Sequence, residues 1–131
     1  MTAATISPAT EDVIRRYVAV WSEPDPAARR AAVGSLWAPD GVEFIDGKQF
    51  RGLDELDTRV TGAYDAFIGN GKYTLTGAHD ASAHGDIATF TVHLTEASGE
   101  AAWTARVFLQ IGPDGRVQED YHVVVKPLPP T

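Results

Sequence analysis

The amino-acid sequence predicts an α+β fold, in which helices from the first half of the chain cover one face of a mostly antiparallel sheet. Two observations carry this prediction. Apolar residues recur at helical spacing in three segments before residue 71, and strand-like segments separated by turn motifs fill the rest of the chain. Helices that come first, followed by consecutive strands, are typical of the α+β class and not of alternating α/β folds.

The first two predicted helices each have a recognisable start. Ser7 can cap the first helix, Pro8 suits its first turn, and the segment from Val13 to Trp21 supplies an apolar stripe. The second helix begins at Asp25-Pro26 and continues through AARRAAVGSLW. Both helices therefore present one apolar face to a core.

A first strand is predicted at residues 42–46, and a third helix follows with an apolar stripe from Leu53 to Phe67. After the GNG turn, the motifs AHGD, EASGE and GPDG separate strands that can pair as hairpins. These strands are predicted near residues 72–80, 86–95, 102–111 and 116–125. Residues 1–131 are thus expected to form one domain with loose tails at 1–7 and 126–131.

Composition disfavours several classes of function. The 131 residues are 44% hydrophobic, which is enough for a packed core. A net charge of −7 disfavours binding to nucleic acid or to an anionic membrane surface. The chain has no cysteine, so it can form neither a disulfide nor a thiolate metal site. Neither a signal peptide nor a membrane span is recognisable, and a cytoplasmic protein without nucleic-acid or membrane partners is expected.

The last predicted strand contains QEDYHVVV, in which Asp120 and His122 alternate with apolar residues. Alternate side chains of a strand share a face, so these two groups point the same way. The pattern has two interpretations. In an ordinary antiparallel sheet the polar face meets water and the apolar face, with Val117, Tyr121 and the valines that follow, is the core. Alternatively, Asp120 and His122 are an acid–base pair that faces a substrate.

Four short motifs in this order resemble the nuclear transport factor 2-like superfamily, whose branches include ketosteroid isomerase, limonene epoxide hydrolase and the SnoaL-like polyketide cyclases. The motifs are RRYVAVW in the first helix, LWAPDGVEFID before and within the first strand, FRGLDEL at the third helix, and DGRV before the last strand. The resemblance implies a cone-shaped barrel in which the helices pack in a strongly curved sheet, with a pocket at the open end. The fold hosts many chemistries, so it does not by itself give a function.

The resemblance transfers only some of the isomerase residues. Tyr17 matches the tyrosine that donates a hydrogen bond to the substrate oxygen in ketosteroid isomerases. The catalytic base of that branch falls on Ile45, with Asp46 one place later, and its second carboxylate falls on Val107. Steroid isomerisation is therefore not expected.

The SnoaL-like cyclases use an aspartate and a histidine near the mouth of the cone, and this resemblance implies catalytic roles for Asp120 and His122 beside Tyr17. The resemblance implies that the polar face of the last strand points inward. The valines, with Arg106 and Phe108, would then contact a partner subunit in a homodimer. The residues predicted to bind substrate are Trp21, Trp37, Phe90, Val92, Trp103, Val107 and Gln118.

These residues indicate cofactor-independent acid–base chemistry on a hydrophobic carbonyl compound, as in a cyclase, an isomerase or a dehydratase of the lyase class. No metal is expected: the histidines and aspartates near the AHGD turn fit a solvated hairpin tip. One alternative is a ligand-binding or dimerisation module without catalysis. Another is an epoxide hydrolase, which needs an arginine between carboxylates, although Arg106 points outward. Glu43 and Asp46 lie on opposite faces of their strand, so only one of them is expected to enter the pocket.

Overall fold

The computed structural model describes residues 6–129. Helices α1 (Pro8–Val20) and α2 (Pro26–Leu36) lead into strand β1 (Trp37–Ile45), followed by β2 (Lys48–Arg51) and α3 (Gly52–Ala63), which a π-helical turn (Tyr64–Ile68) extends. The remaining strands are β3 (Thr74–Gly77), β4 (Ser82–His84), β5 (Ile87–Thr95), β6 (Ala101–Ile111) and β7 (Val117–Lys126).

The strands form one curved, unclosed sheet in the order β2-β1-β7-β6-β5-β3, with β4 beside β5. All neighbours are antiparallel except β1 and β7, which run parallel. The predicted α+β class and the mostly antiparallel sheet are therefore confirmed. The parallel pair matters for the site, because it places the middle of β1 directly beside the middle of β7.

The helix starts follow from local capping chemistry. Ser7 Oγ accepts a hydrogen bond from the backbone N–H of Thr10 at 3.2 Å, and Asp25 Oδ2 accepts one from Ala28 at 2.9 Å. Each cap satisfies a backbone donor that has no partner within its helix. No helix within residues 6–129 is long and apolar enough to cross a membrane.

The core lies between the helices and the concave face of the sheet. Its residues come from α1, α2 and α3 on one side and from β1, β5, β6 and β7 on the other. Fully buried members include Tyr17, Val33, Leu36, Trp37, Leu56, Val60, Ala105, Val107, Leu109 and Val117. Burial of these apolar side chains is the main stabilising contribution to the fold.

Several boundaries differ from the prediction. The first strand begins at Trp37 and not at residue 42, with a register break between Trp37 and Val42. Gly41 lies in this break, where a Cβ atom would be 2.9 Å from the carbonyl oxygen of Val117. The predicted turn at 47–52 contains β2, and the predicted strand at 72–80 is limited to β3. Of the predicted tails, residues 1–5 and 130–131 lie outside the described residues, and β7 includes Lys126.

A bulge near the start of β7 changes which side chains share a face. Gln110 pairs with Glu119 but Ile111 pairs with Val117, so Gln118 is an extra residue in the ladder. Val117 is consequently buried on the same side as Asp120. The expectation that Val117 shares the apolar face of Tyr121 is wrong for this reason.

Candidate active site

Two adjacent strands place a pair of carboxylates side by side on the concave face of the sheet. Glu43 on β1 and Asp120 on β7 are direct cross-strand partners, and Ile45 pairs with His122 one step further along. Both carboxylates are 0% exposed, and the His122 side chain is 4% exposed. Like charges placed directly opposite each other are unfavourable, so this pair requires protons or cations nearby.

Tyr17 reaches the same point from α1. It lies on the buried stripe of that helix between Val13 and Val20. Its hydroxyl donates a hydrogen bond to Asp120 Oδ2 at 2.9 Å and also contacts His122 Nε2. A helix residue and two strand residues thus converge although 103 positions separate Tyr17 from Asp120.

Three oxygen atoms surround the Nε2 atom of His122. Glu43 Oε2 lies at 3.1 Å and Asp120 Oδ1 at 3.2 Å, and the hydroxyl oxygen of Tyr17 is the third neighbour. A single N–H cannot donate fully to three acceptors, so a proton at this point is shared among alternatives. Within the described residues, Nδ1 of the same ring is buried without a hydrogen-bond partner.

Arg59 on α3 supplies the positive charge next to Glu43. Its Nε donates to Glu43 Oε1 at 2.8 Å, and Nη2 lies 3.4 Å from Oε2. The guanidinium also lies over the rings of Trp21 and Phe50, with centroid distances of 5.1 and 5.6 Å. These contacts fix its orientation, because a guanidinium stacks on aromatic faces while it binds a carboxylate in its plane.

Electrostatics keep the cluster protonated. Burial raises the pKa of Glu43, the Asp120 carboxylate adds to the rise, and His122 and Arg59 oppose it. Burial alone would lower the pKa of His122, but Asp120 and Glu43 together raise it above its ordinary value. Burial, followed by the same two carboxylates, raises the pKa of Tyr17 well above 10. Tyr17 therefore remains a hydrogen-bond donor, and near neutral pH the cluster holds more protons than the same groups would hold in water.

The cluster forms one end of a cavity of about 280 Å³. The polar part of its wall comes from Tyr17, His122, Arg59 and Asp46. The remainder is largely apolar and comes from Trp21, Ile45, Ala63, Phe67, Ile68, Leu75, Val92, Leu94, Trp103 and Leu128. Small-molecule sites usually span roughly 300–1,000 Å³, so this cavity suits a ligand on the order of ten non-hydrogen atoms.

Within residues 6–129, one group of three side chains could hold a metal ion: Glu43, Asp120 and His122. Ligand atoms of Glu43, Asp120 and His122 lie within 4.8 Å of one another, and two carboxylates with an imidazole are suitable ligands for a divalent cation. However, Arg59 already binds Glu43 and Tyr17 already binds Asp120. The guanidinium charge beside Glu43 opposes a second cation, so the arrangement favours protons over a metal.

The structure distributes the predicted site residues over two layers. Tyr17 and His122 line the cavity together with Trp21, Val92 and Trp103. Asp120, predicted to be catalytic, lies directly behind them and has no exposed surface. It can therefore act on a ligand only through Tyr17 and His122, or after a side-chain movement.

Four residues predicted to bind substrate lie elsewhere. Trp37 and Phe90 pack edge-on against the ring of Tyr17, with centroids 5.8 and 5.6 Å away, and Val107 is fully buried. These three belong to the core and do not line the cavity. Gln118 is the bulged residue, and its side chain lies beside Gly112.

Glu43 and Arg59 are the site residues that the sequence analysis did not assign. Glu43 was one of two alternatives, and only Asp46 of the two lines the cavity, whereas Glu43 is buried behind its wall. Asp46 has a φ of 49°, which ends the strand alternation, so its exposed side chain lines the rim. Arg59 lies three residues after Leu56 and four before Ala63, beside the apolar stripe of α3. That position was the available signal, but its partner could not be read from the sequence.

Solved structures with a similar fold place the chain in a known fold class. A candidate isomerase of the SnoaL-like family from Agrobacterium tumefaciens superposes with a TM-score of 0.80 at 21% identity, covering 90% of this chain and 98% of that one. A candidate polyketide cyclase from Sinorhizobium meliloti gives a TM-score of 0.68 at 18% identity, covering 89% and 100%. A protein of ketosteroid isomerase-like fold from Catenulispora acidiphila, in complex with trimethylamine, gives 0.65 at 20% identity, covering 90% and 86%.

This chain therefore has the α+β cone fold of the nuclear transport factor 2-like superfamily, and the predicted resemblance is confirmed at the level of fold. The chain matches no protein-family model and no curated protein. At these identities the likeness defines the architecture, and the chemistry has to be argued from the site.

Proposed function

We propose that this chain is a cofactor-independent enzyme that performs acid–base chemistry on a small hydrophobic carbonyl compound, in a reaction of the isomerase, cyclase or dehydratase type. The observation that carries the proposal is the convergence of Tyr17, Glu43 and Asp120 on His122 Nε2 at the end of a largely apolar cavity. The fold neighbours described as a candidate isomerase and a candidate polyketide cyclase support this class of reaction.

In the proposed mechanism His122 exchanges the proton with the substrate. The imidazole passes its proton to Glu43 or Asp120, 3.1 and 3.2 Å away, and so becomes able to accept a proton from the carbon next to a carbonyl group. The electron pair of the broken C–H bond moves to the carbonyl oxygen. Tyr17, whose single O–H donates to Asp120 in the free protein, turns this hydrogen bond to the developing enolate, as an oxyanion-stabilising group does. Return of the proton to another carbon completes an isomerisation, whereas its transfer to a β-hydroxyl group completes a dehydration, in which the C–O bond breaks, water leaves and the enolate electron pair forms the C=C bond.

Exchange of deuterium from D₂O into a small ketone tests the proposal directly. Cyclohexanone and phenylacetone suit the cavity volume, and NMR follows the loss of their α-protons. We expect the wild-type chain to accelerate exchange and both His122→Gln and Asp120→Asn to lower the rate by about 10²-fold or more. His93→Gln is the matched control, because His93 bonds to Thr104 and does not line the cavity. Wild-type rates in both site variants, or loss of exchange with EDTA, would contradict the mechanism.

A ligand-binding module without catalysis is the first alternative. It predicts that the ketones bind with measurable affinity while exchange stays at the uncatalysed rate. Calorimetry and NMR on the same samples separate this alternative from the enzyme.

An epoxide hydrolase is the second alternative, and one observation favours it. The arginine that such a reaction requires is provided by Arg59, which binds Glu43 at 2.8 Å, whereas Arg106 points outward and pairs with Asp80. Hydration of styrene oxide that depends on Arg59 and Glu43 would support this alternative, and its absence would exclude it.

The exposed outer face of the sheet supports a homodimer. Phe108, Tyr121, Val123 and Val125 are large apolar side chains exposed on this face, and Phe44 stacks on Tyr121 with a centroid distance of 4.9 Å. Contiguous apolar surface of this kind is typical of a subunit interface. We propose that two copies meet through it, in the cytoplasm, where the absence of cysteine is ordinary.

A further inference from the structure

One edge of the Arg59 guanidinium has no acceptor among the described residues. A guanidinium has five N–H donors in a planar fork. The edge formed by Nε and Nη2 binds the two oxygens of Glu43. Nη1 makes no hydrogen bond within residues 6–129, and it is not one of the fully buried polar atoms that lack a partner. The outer edge, formed by Nη1 and the second hydrogen of Nη2, is therefore accessible.

The surroundings hold this edge in place at the wall of the cavity. Arg59 lines the cavity and its side chain is 20% exposed. Glu43 binds one edge of the guanidinium, and Trp21 and Phe50 lie against its faces. A fork that is fixed in this way loses little conformational entropy when it binds a second carboxylate in bidentate geometry.

The charges that a ligand meets inside the cavity favour an anion. Glu43 and Asp120 are buried behind the wall and do not line it. The groups that do line its inner end are Arg59, Tyr17 and His122, whose pKa is raised. The lining carboxylate, Asp46, is exposed at the rim.

The positions of Arg59 and His122 also set a distance within the ligand. Arg59 Nε binds Glu43 Oε1, and His122 Nε2 approaches Oε2 of the same carboxylate. Nη2 of Arg59 also lies 3.4 Å from this Oε2 atom, which is 3.1 Å from His122 Nε2, so the guanidinium and the imidazole are separated by one oxygen atom and its two contacts. An anion held on the outer edge of Arg59 would place atoms two or three bonds away beside Tyr17 and His122.

We propose that Arg59 is a carboxylate-binding residue and that the substrate is a small oxo acid, with its carboxylate on Arg59, its carbonyl oxygen near Tyr17 and a short apolar group against Leu75, Val92 and Trp103. This inference rests on the proposed function for the role of the carbonyl group. The carboxylate subsite itself does not depend on catalysis.

Binding of benzoate and of its neutral isostere benzamide, measured by isothermal titration calorimetry, tests the subsite. We expect wild-type protein to bind benzoate at least about tenfold more tightly than benzamide. Arg59→Gln should abolish the preference, and Arg59→Lys should reduce it, because an ammonium keeps the charge but lacks the planar fork. Arg30→Gln is the matched control, since Arg30 pairs with Asp54 and Asp57 on the surface, away from the cavity.

Two further measurements keep the result interpretable. Because Arg59→Gln leaves Glu43 buried without its partner, Glu43→Gln/Arg59→Gln is measured beside it, and thermal melting checks that both fold. Binding of benzoate and benzamide to His122→Gln separates Arg59 from His122 as the source of the preference. Equal binding of the two ligands by the wild type, a preference that survives in the double variant, or one that disappears in His122→Gln would overturn the proposal.

The failure of this proposal differs from the failure of the proposed function. Deuterium exchange into neutral ketones without any preference for benzoate would leave the acid–base enzyme and remove the carboxylate subsite. A benzoate preference that depends on Arg59, without exchange into any ketone or oxo acid, would leave the subsite and remove the chemistry.

Discussion

The two faces of β7 differ in a way that reverses the usual arrangement of a surface strand. On the concave face Asp120 and His122 are 0% and 4% exposed, while on the convex face Tyr121, Val123 and Val125 are 40%, 52% and 66% exposed. Burial of charged groups is costly and exposure of valines forgoes a favourable contribution. Neither choice stabilises an isolated chain, and this is why we propose a ligand for the concave face and a second copy of the chain for the convex face.

The concave face is tolerated because other elements provide partners for its polar atoms. Tyr17 comes from α1, Glu43 from β1 and Arg59 from α3, so four elements meet at one carboxylate–imidazole pair. On the convex face, Val123 and Val125 remain exposed within the described residues. The eight residues 118–125 can therefore contribute both to a buried site and to an exposed surface only because of the elements that pack around β7.

The largest expected difference between the faces concerns their arginines. Arg59→Met removes the guanidinium that binds buried Glu43, and we expect it to lower the free energy of unfolding by about 3 kcal/mol. Arg106→Met on the convex face removes a half-exposed pair with Asp80 and should cost less than about 1 kcal/mol. Urea denaturation measures both. Similar losses in the two variants would show that the concave pair is not a buried one in solution.

A pair of tyrosines sharpens the comparison for catalysis. Tyr17→Phe removes the hydrogen-bond donor at the cavity, and we expect it to lower kcat for ketone exchange about 10²-fold with little change in KM. Tyr121→Phe removes a hydroxyl that donates to Glu119 at 2.8 Å on the convex face, and the rate should not change. An unaffected Tyr17→Phe enzyme would remove Tyr17 from the mechanism.

Stability should depend on pH through the concave face. The pKa values of His122 and Glu43 are raised in the folded state, so the folded cluster binds more protons than the unfolded chain. The stabilisation that Glu43 contributes is complete below the ordinary pKa range of a carboxylate, and that of His122 is complete below about pH 6.5. Each contribution is lost as the pH rises through the raised pKa of that group in the folded state. The free energy of unfolding should not fall by more than about 1.4 kcal/mol per pH unit for each additional proton that the folded state binds.

Thermal melting from about pH 6 to pH 9 checks this sign. The wild-type melting temperature should fall across this window, and the fall should be smaller in His122→Gln than in the His93→Gln control. A melting temperature that rises with pH in the wild type would show that the cluster does not retain extra protons on folding.

The smallest expected effect on the chain itself comes from the convex face. Val123→Asp should change the free energy of unfolding of the monomer by only about 0.5 kcal/mol, because Val123 is already half exposed. The same change should shift a homodimer to monomer in sedimentation experiments while leaving ketone exchange unchanged. A wild-type chain that sediments as a monomer at all concentrations would refute the proposed interface.

The sequence allowed part of the site to be predicted, because its strand and helix periodicities are local. The alternation of β7 placed Asp120 and His122 on one face, the resemblance implied Tyr17 beside them, and the structure brings these three together. The resemblance turned Phe90 and Val107 inward and implied Trp37 as a wall from the helices, but all three side chains pack in the core and do not line the cavity. Whether an inward side chain lines the cavity or packs in the core depends on tertiary packing, which no local sequence pattern encodes.

The sequence by itself determined the class of fold, the caps at Ser7 and Asp25 and the shared face of Asp120 and His122, since each depends on residues that are close in the chain. Only the tertiary structure decided that this face is buried, that Glu43 is its neighbour and that Arg59 supplies its charge. The reason is physical: the parallel pairing of β1 with β7 and the bulge at Gln118 set which side chains meet. The β1–β7 contacts join segments that are far apart in the chain, and their free energy depends on burial that exists only after folding.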